Sequence, residues 1–117
     1  MIGYDIAEIG SSDVSLRRFR VELGDACGYF EGHFPGHPVL PAVAQLEIVA
    51  DSIRRSGFPR AEIVAIDALR LNRPLGPGDA FDLAVKFAAP SGSAHFEIRH
   101  RESVVSSGVV AWTELPE

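Results

Sequence analysis

Among the ionisable residues of this 117-residue chain, His33 and Glu47 are the two whose surroundings suit them to proton transfer. His33 lies in Gly32-His33-Phe34-Pro35-Gly36-His37-Pro38-Val39-Leu40-Pro41. The three prolines there remove backbone donors and push the residues before them out of the helical region. An imidazole in so stiff a loop, with an unperturbed pKa of about 6.5, is a suitable general base near neutral pH. Glu47 stands within the apolar run from Ala42 to about Ser56. It follows Val43 by four residues and precedes Ala50 by three, so a helix there puts all three on one face. Carboxylates are seldom desolvated without a partner, because the charge loses its hydration. A desolvated Glu47 would be held protonated and could donate to a leaving group. The plain alternatives are a histidine satisfied within its loop, and a glutamate that reaches solvent or pairs with an arginine such as Arg54. Zinc is a weaker alternative: His33 and His37 with Glu47 could ligate it, but histidines at that spacing usually share a helical face, and Pro35 stands between them. His95 and His100 lie on or beside strands with no visible third ligand. Cys27 reads as a small buried residue, with no nearby histidine motif to make it a nucleophile.

The elements that must hold these groups follow from periodicity. From Ser15 to Leu23, Phe19, Val21 and Leu23 alternate with Arg18, Arg20 and Glu22, the period of a half-buried strand. Residues 1–13 are weakly periodic and read as a ragged start. Pro41 suits the first turn of a helix over 42–56, with Val43, Leu46, Ala50 and Ile53 on its apolar stripe and Ile48 and Val49 nearby. Arg54 and Arg55 suit its last turn, Gly57 a left-handed exit, and Pro59 forbids continuation. A helix apolar around most of its girth is a central one, wrapped by other elements. Four strands follow: Glu62 to Leu71, Phe81 to Ala88, Ala94 to Arg99, and Ser103 to Leu115 interrupted at Gly108. Short turns between them imply antiparallel pairing. The expectation is an α+β fold, one domain over 1–117, with a single buried helix against a curled antiparallel sheet.

Composition narrows the class. Hydrophobic residues make up 46% and charged residues 23%, which excludes a disordered chain. One cysteine excludes an internal disulfide framework and fits a reducing compartment. A net charge of −5 gives no general attraction for nucleic acid or anionic membrane. With no spanning run and no leader-like start, the sequence reads as a soluble cytoplasmic protein.

The segment Gly32 to Pro41 together with Glu47 resembles the active-site signature of the hot-dog-fold 3-hydroxyacyl-[acyl-carrier-protein] dehydratases of the FabA/FabZ type. Arg73-Pro74-Leu75-Gly76-Pro77-Gly78-Asp79 is similar to a second turn of that family, and the resemblance runs from about Phe19 to Trp112. It implies removal of water from 3-hydroxyacyl thioesters, with His33 and Glu47 catalytic and no cofactor or metal. Phe34, Pro41, Ala42 and Val43 would border the substrate, the N–H groups of Ala42 and Val43 facing the developing enolate oxygen. In this scheme His33 takes the α-proton and Glu47 protonates the departing hydroxyl, or His33 makes both transfers while Glu47 orients the hydroxyl. The resemblance also implies an acyl carrier protein as partner and a homodimer, or a heterodimer with a second hot-dog subunit, in which the acid of one protomer faces the histidine of the other. Carrier proteins are acidic, so Arg54, Arg55, Arg60, Arg99 and Arg101 are candidate docking cations. Ala42 replaces the usual glycine after the last motif proline, and Asp51 replaces a frequent glutamine. The short start and Gln45-Leu46-Glu47 are closer to the small dehydratases of aryl-polyene and polyketide-type pathways. Thioester hydrolysis on the same fold, or a non-catalytic acyl-binding subunit, are the alternative functions.

Overall fold

The computed structural model describes residues 4–13, 15–24, 39–88 and 92–116. In chain order these form β1 (Tyr4–Asp13), β2 (Leu16–Leu23), α1 (Ala42–Arg55), β3 (Ala61–Leu71), β4 (Ala80–Ala88), β5 (Ser93–His100) and β6 (Ser103–Glu114). The strands make one six-stranded sheet in the order β1-β2-β4-β5-β6-β3, with every neighbouring pair antiparallel. The sheet curls about the helix, which is the hot-dog arrangement.

Alternation explains the middle of the sheet. Phe19, Val21 and Leu23 of β2, Phe81, Leu83 and Val85 of β4, and Ala94, Phe96 and Ile98 of β5 all point into the core, while Arg18, Arg20, Glu22, Asp82 and Arg99 face out. Gly108 does not interrupt β6. It lies opposite Phe96 in the β5–β6 register, and a Cβ there would approach that ring to 2.9 Å, so a side chain would displace a core aromatic. The start of the chain is not ragged: Tyr4–Asp13 pair along the whole of β2, with two register irregularities. β1 escapes a periodicity search because it is an edge strand largely exposed from Asp5 to Gly10, held by ladder hydrogen bonds rather than by alternating burial.

The helix keeps most of the expected apolar face, with Ala50, Ile53, Ile48 and Val49 buried, but Val43 turns outward. Its buried residues are Ala44, Gln45, Ile48, Val49, Ala50, Ser52 and Ile53, whereas Val43 is 72% exposed. The helix is amphipathic: Glu47, Asp51, Arg54 and Arg55 mark its outer face, and Val43 lies on that face with them. The curl of the sheet covers the 44-48-52 and 45-49-53 rows, and these carry two polar side chains inward. The helix ends as expected, with Arg54 and Arg55 in its last turn and Gly57 at φ +112°.

Candidate active site

The site is built around the first two turns of α1. Pro41 is the N-cap residue, and its carbonyl accepts from the N–H of both Ala44 and Gln45 at 3.1 Å. The N–H groups of Ala42 and Val43 precede those bonds, no side chain among the described residues caps the helix, and its first turn carries no acidic residue. That end therefore offers donors and a favourable dipole to negative charge.

The chain entering α1 is fixed on both sides. The Leu40 N–H donates to the Leu75 carbonyl at 2.7 Å, and the Leu40 carbonyl accepts from Gln45 Nε2 at 3.2 Å. Ser106 Oγ on β6 donates to Gln45 Oε1 at 2.8 Å, and both residues are buried. Leu75 is itself fully buried, and its turn is closed by the Gly76 N–H on Asp79 Oδ2 at 2.7 Å. Leu40, at the described end of the first motif segment, and Leu75 of the second thus meet at a backbone hydrogen bond. A cavity of about 250 Å³ opens there between Leu40, Ala42, Leu71 and Arg73. A larger concavity of about 410 Å³ lies away from the helix, over Lys86, His95 and Glu97 on the outer face of the sheet.

Glu47 does share a face with Val43, but it is the outer face. Its side chain is 50% exposed, which corrects the expectation of a desolvated acid on a buried stripe. Its Oε1 accepts from Arg54 Nη1 at 3.0 Å, so the expected alternative of an arginine partner is the one realised. Arg54 is anchored in turn: Nε donates to the Ala61 carbonyl at 2.9 Å, and Nη2 lies 3.6 Å from Glu62. Desolvation pulls Arg54 toward losing its charge, but the Glu47 hydrogen bond and the fields of Glu47, Glu62 and Asp51 outweigh this and hold the guanidinium above its usual value. Asp51 accepts from Tyr4 Oη at 2.9 Å and from Arg55 Nε at 3.3 Å, tying the helix to β1.

His33, Phe34, His37 and Cys27 lie outside the described residues. Of the expected site residues, Pro41, Ala42, Val43 and Glu47 are gathered on the first two turns of α1. Of the docking candidates, Arg54, Arg55 and Arg99 are ion-paired within the chain, and Arg60 donates to the carbonyls of Leu115 and Pro116. Arg101 has no ion pair among the described residues. Sequence reasoning missed the role of Gln45, although a glutamine inside an apolar helical run was the signal for it.

Comparison with known proteins follows the same span. Residues 11–109 match the ApeI-like family, described as ApeI dehydratase. The 3-hydroxyacyl-[acyl-carrier-protein] dehydratase FabZ of Thermus thermophilus is 41% identical over 63 residues, covering 47% of this chain and 44% of that protein. The FabZ of Mannheimia succiniciproducens is 38% identical over 74 residues, covering 56% and 48%. The chain therefore spans about half the length of the curated relatives it matches. Among solved structures, the dehydratase heterocomplex ApeI:P from Xenorhabdus doucetiae superposes with a TM-score of 0.81 at 22% identity, over 94% of this chain and 99% of that one. An uncharacterized protein from Erwinia carotovora gives 0.74 at 24% identity, over 97% and 95%. These two share the fold. The matched family span takes in β2, α1, β3, β4 and β5 whole, with both motif segments between them, and so the chain belongs to the ApeI-like dehydratase family.

Proposed function

We propose that this chain, as one hot-dog domain in the cytoplasm, dehydrates 3-hydroxyacyl thioesters carried on the phosphopantetheine arm of an acyl carrier protein and yields the trans-2-enoyl thioesters. The observation that carries this reading is the junction of Leu40 with Leu75, which fixes the open helix start beside a cleft one turn from Glu47. Four residues of helix advance about 6 Å. A thioester carbonyl at the Ala42 and Val43 N–H groups would therefore bring the 3-hydroxyl toward Glu47. His33 takes the α-proton, negative charge develops on the thioester oxygen against the helix donors, and the C3–O bond breaks to release water. Glu47 acts at the departing hydroxyl. The FabZ relatives are named for this reaction on carrier-bound substrates, and the shared motifs support extending it to this chain.

The working unit in this reading is a dimer. β3 is a sheet edge that exposes Val64, Ile66, Leu69 and Leu71, apolar side chains that pairing with a second hot-dog subunit would cover. The partner is a second copy of this chain. A non-identical subunit is the second reading, favoured by the heterocomplex from which the Xenorhabdus neighbour comes and by Ala42, whose Cβ stands at the cleft.

The test offers purified protein a carrier-bound 3-hydroxyacyl thioester and follows absorbance of the conjugated enoyl product. Enoyl formation that His33→Ala abolishes is the expected result. Release of free thiol would point to hydrolysis instead. Turnover only after addition of a second hot-dog protein would establish the heterodimer.

A further inference from the structure

We propose that the acyl carrier protein docks on the outer face of the sheet, with Arg70 and Lys86 as its principal contacts. This rests on the dehydratase reading above and names the surface that would present the substrate to the cleft.

The cations divide by what already holds them. Arg17, Arg20, Arg54, Arg55 and Arg99 are in ion pairs within the chain, and Arg60 is engaged by two backbone carbonyls. Arg18, Arg70, Arg73, Lys86 and Arg101 have no ion pair among the described residues. Arg70 and Lys86 border the hollow of about 410 Å³ on the outer face, beside His95 and above the small residues Ala84, Ser107 and Gly108. A second hollow of about 190 Å³ adjoins it at Ala84 and Glu97 and adds Arg18 and Arg99. Against these cations stand Asp82 and Glu97, whose carboxylates already accept from Arg20 and Arg99. Asp67, nearby on β3, accepts from the Ala68 N–H. A chain of net charge −5 thus presents a cationic face. An acidic protein is repelled by the molecule as a whole and drawn to this face, which orients it on approach.

β3 ties this face to the cleft. Its register slips between Asp67 and Arg70, with Ala68 at φ +52°, a region that side chains rarely adopt. The bulge turns Arg70 outward opposite Ser107 and leaves Leu71 in the cleft with Leu40 and Ala42. One irregularity therefore sets a docking cation and a cleft wall on successive residues. Arg73 also lines the cleft, and three residues of chain span at most about 11 Å from Arg70. A carrier seated on the hollow can lead its flexible arm round the end of β3 to the helix start. Pairing of β3 with a second subunit uses the edge of the strand and leaves this face open.

The experiment gives the full chain one 3-hydroxyacyl group in two forms, on the carrier protein and on a short pantetheine thioester with no protein attached. Arg70→Glu, Lys86→Glu and the double variant are compared with the parent, with thermal unfolding as the check on folding. The double variant should raise KM for the carrier-bound substrate about tenfold, and leave kcat and turnover of the short thioester within about twofold of the parent. Added salt should raise the parent's KM and narrow the gap, since exposed charges are screened. An equal loss on both substrates, no change on either, or a larger rise in KM from Arg101→Glu at the β5–β6 turn overturns the proposal. Should the reversals not fold, Arg70→Gln and Lys86→Gln carry the test, with a smaller rise in KM on the carrier-bound substrate alone. If the parent dehydrates neither form, the functional reading fails, and titration calorimetry with the carrier protein decides the docking surface by itself. Binding that the double variant loses supports it; no binding to the parent, or equal affinity in both, overturns it.

Discussion

The two sides of α1 differ in composition: the inner one is mostly apolar, and the outer one carries the charges of Glu47, Asp51, Arg54 and Arg55. The inner side, from Ala44 through Ile48 and Val49 to Ile53, is sealed in the sheet and admits polarity only where it is fully bonded, at Gln45 and Ser52. The outer side carries Val43, Glu47 and Arg54, all at least partly exposed. Burial on one side and exposure on the other let a short domain keep Glu47 and Arg54 accessible without opening its core.

That contrast can be broken one side at a time. The largest effect is expected from Glu47→Gln on the outer side. Loss of a group acting in proton transfer or in orienting the leaving hydroxyl typically costs on the order of 10²–10⁴-fold in rate, while thermal unfolding should scarcely move. A parallel collapse of Tm would show that the two sides are not independent. Ile48→Ala on the inner side should do the reverse. It removes a fully buried side chain at a cost of about 2–5 kcal/mol, read as a lowered denaturation midpoint. Ser106→Ala is smaller: it leaves buried Gln45 Oε1 without its donor, for a loss of about 1–3 kcal/mol. It also sharpens the comparison, because Gln45 holds Leu40 at the mouth of the cleft. The variant should therefore lose activity beyond what its stability explains, measured as kcat on fully folded protein.

What could be read from the sequence divides along the same physical line. β2, β4 and β5 were legible because one face of each is buried and the other wet, which stamps a period of two on the residues. β1 was not, since edge pairing leaves no such imprint on Tyr4–Asp13. The helix was legible as a helix, and its outer face was marked by Glu47, Asp51, Arg54 and Arg55, but Val43 was assigned to the inner stripe for its apolar side chain. At the site, the motifs announced Pro41, Ala42, Val43 and Glu47, and an Arg54 partner was among the alternatives for Glu47. The pairing of Gln45 with Ser106 was hidden because it spans 61 positions, beyond any local pattern. The burial expected for Glu47 failed because it lies with Asp51, Arg54 and Arg55 on the outer face of the helix, where it pairs with Arg54.

The bond between Leu40 and Leu75, with the reach of Gln45 to Ser106, also bears on the order in which the molecule matures. Both contacts close long loops, and such closures carry an entropic cost that must be met before their contacts contribute. During synthesis the helix leaves the ribosome with the amide of Gln45 still hydrated, and the mouth of the cleft has no fixed shape until β6 has emerged and docked. Under the proposed function, a nascent chain would carry Glu47 and the helix start before the cleft beside them is closed by β6.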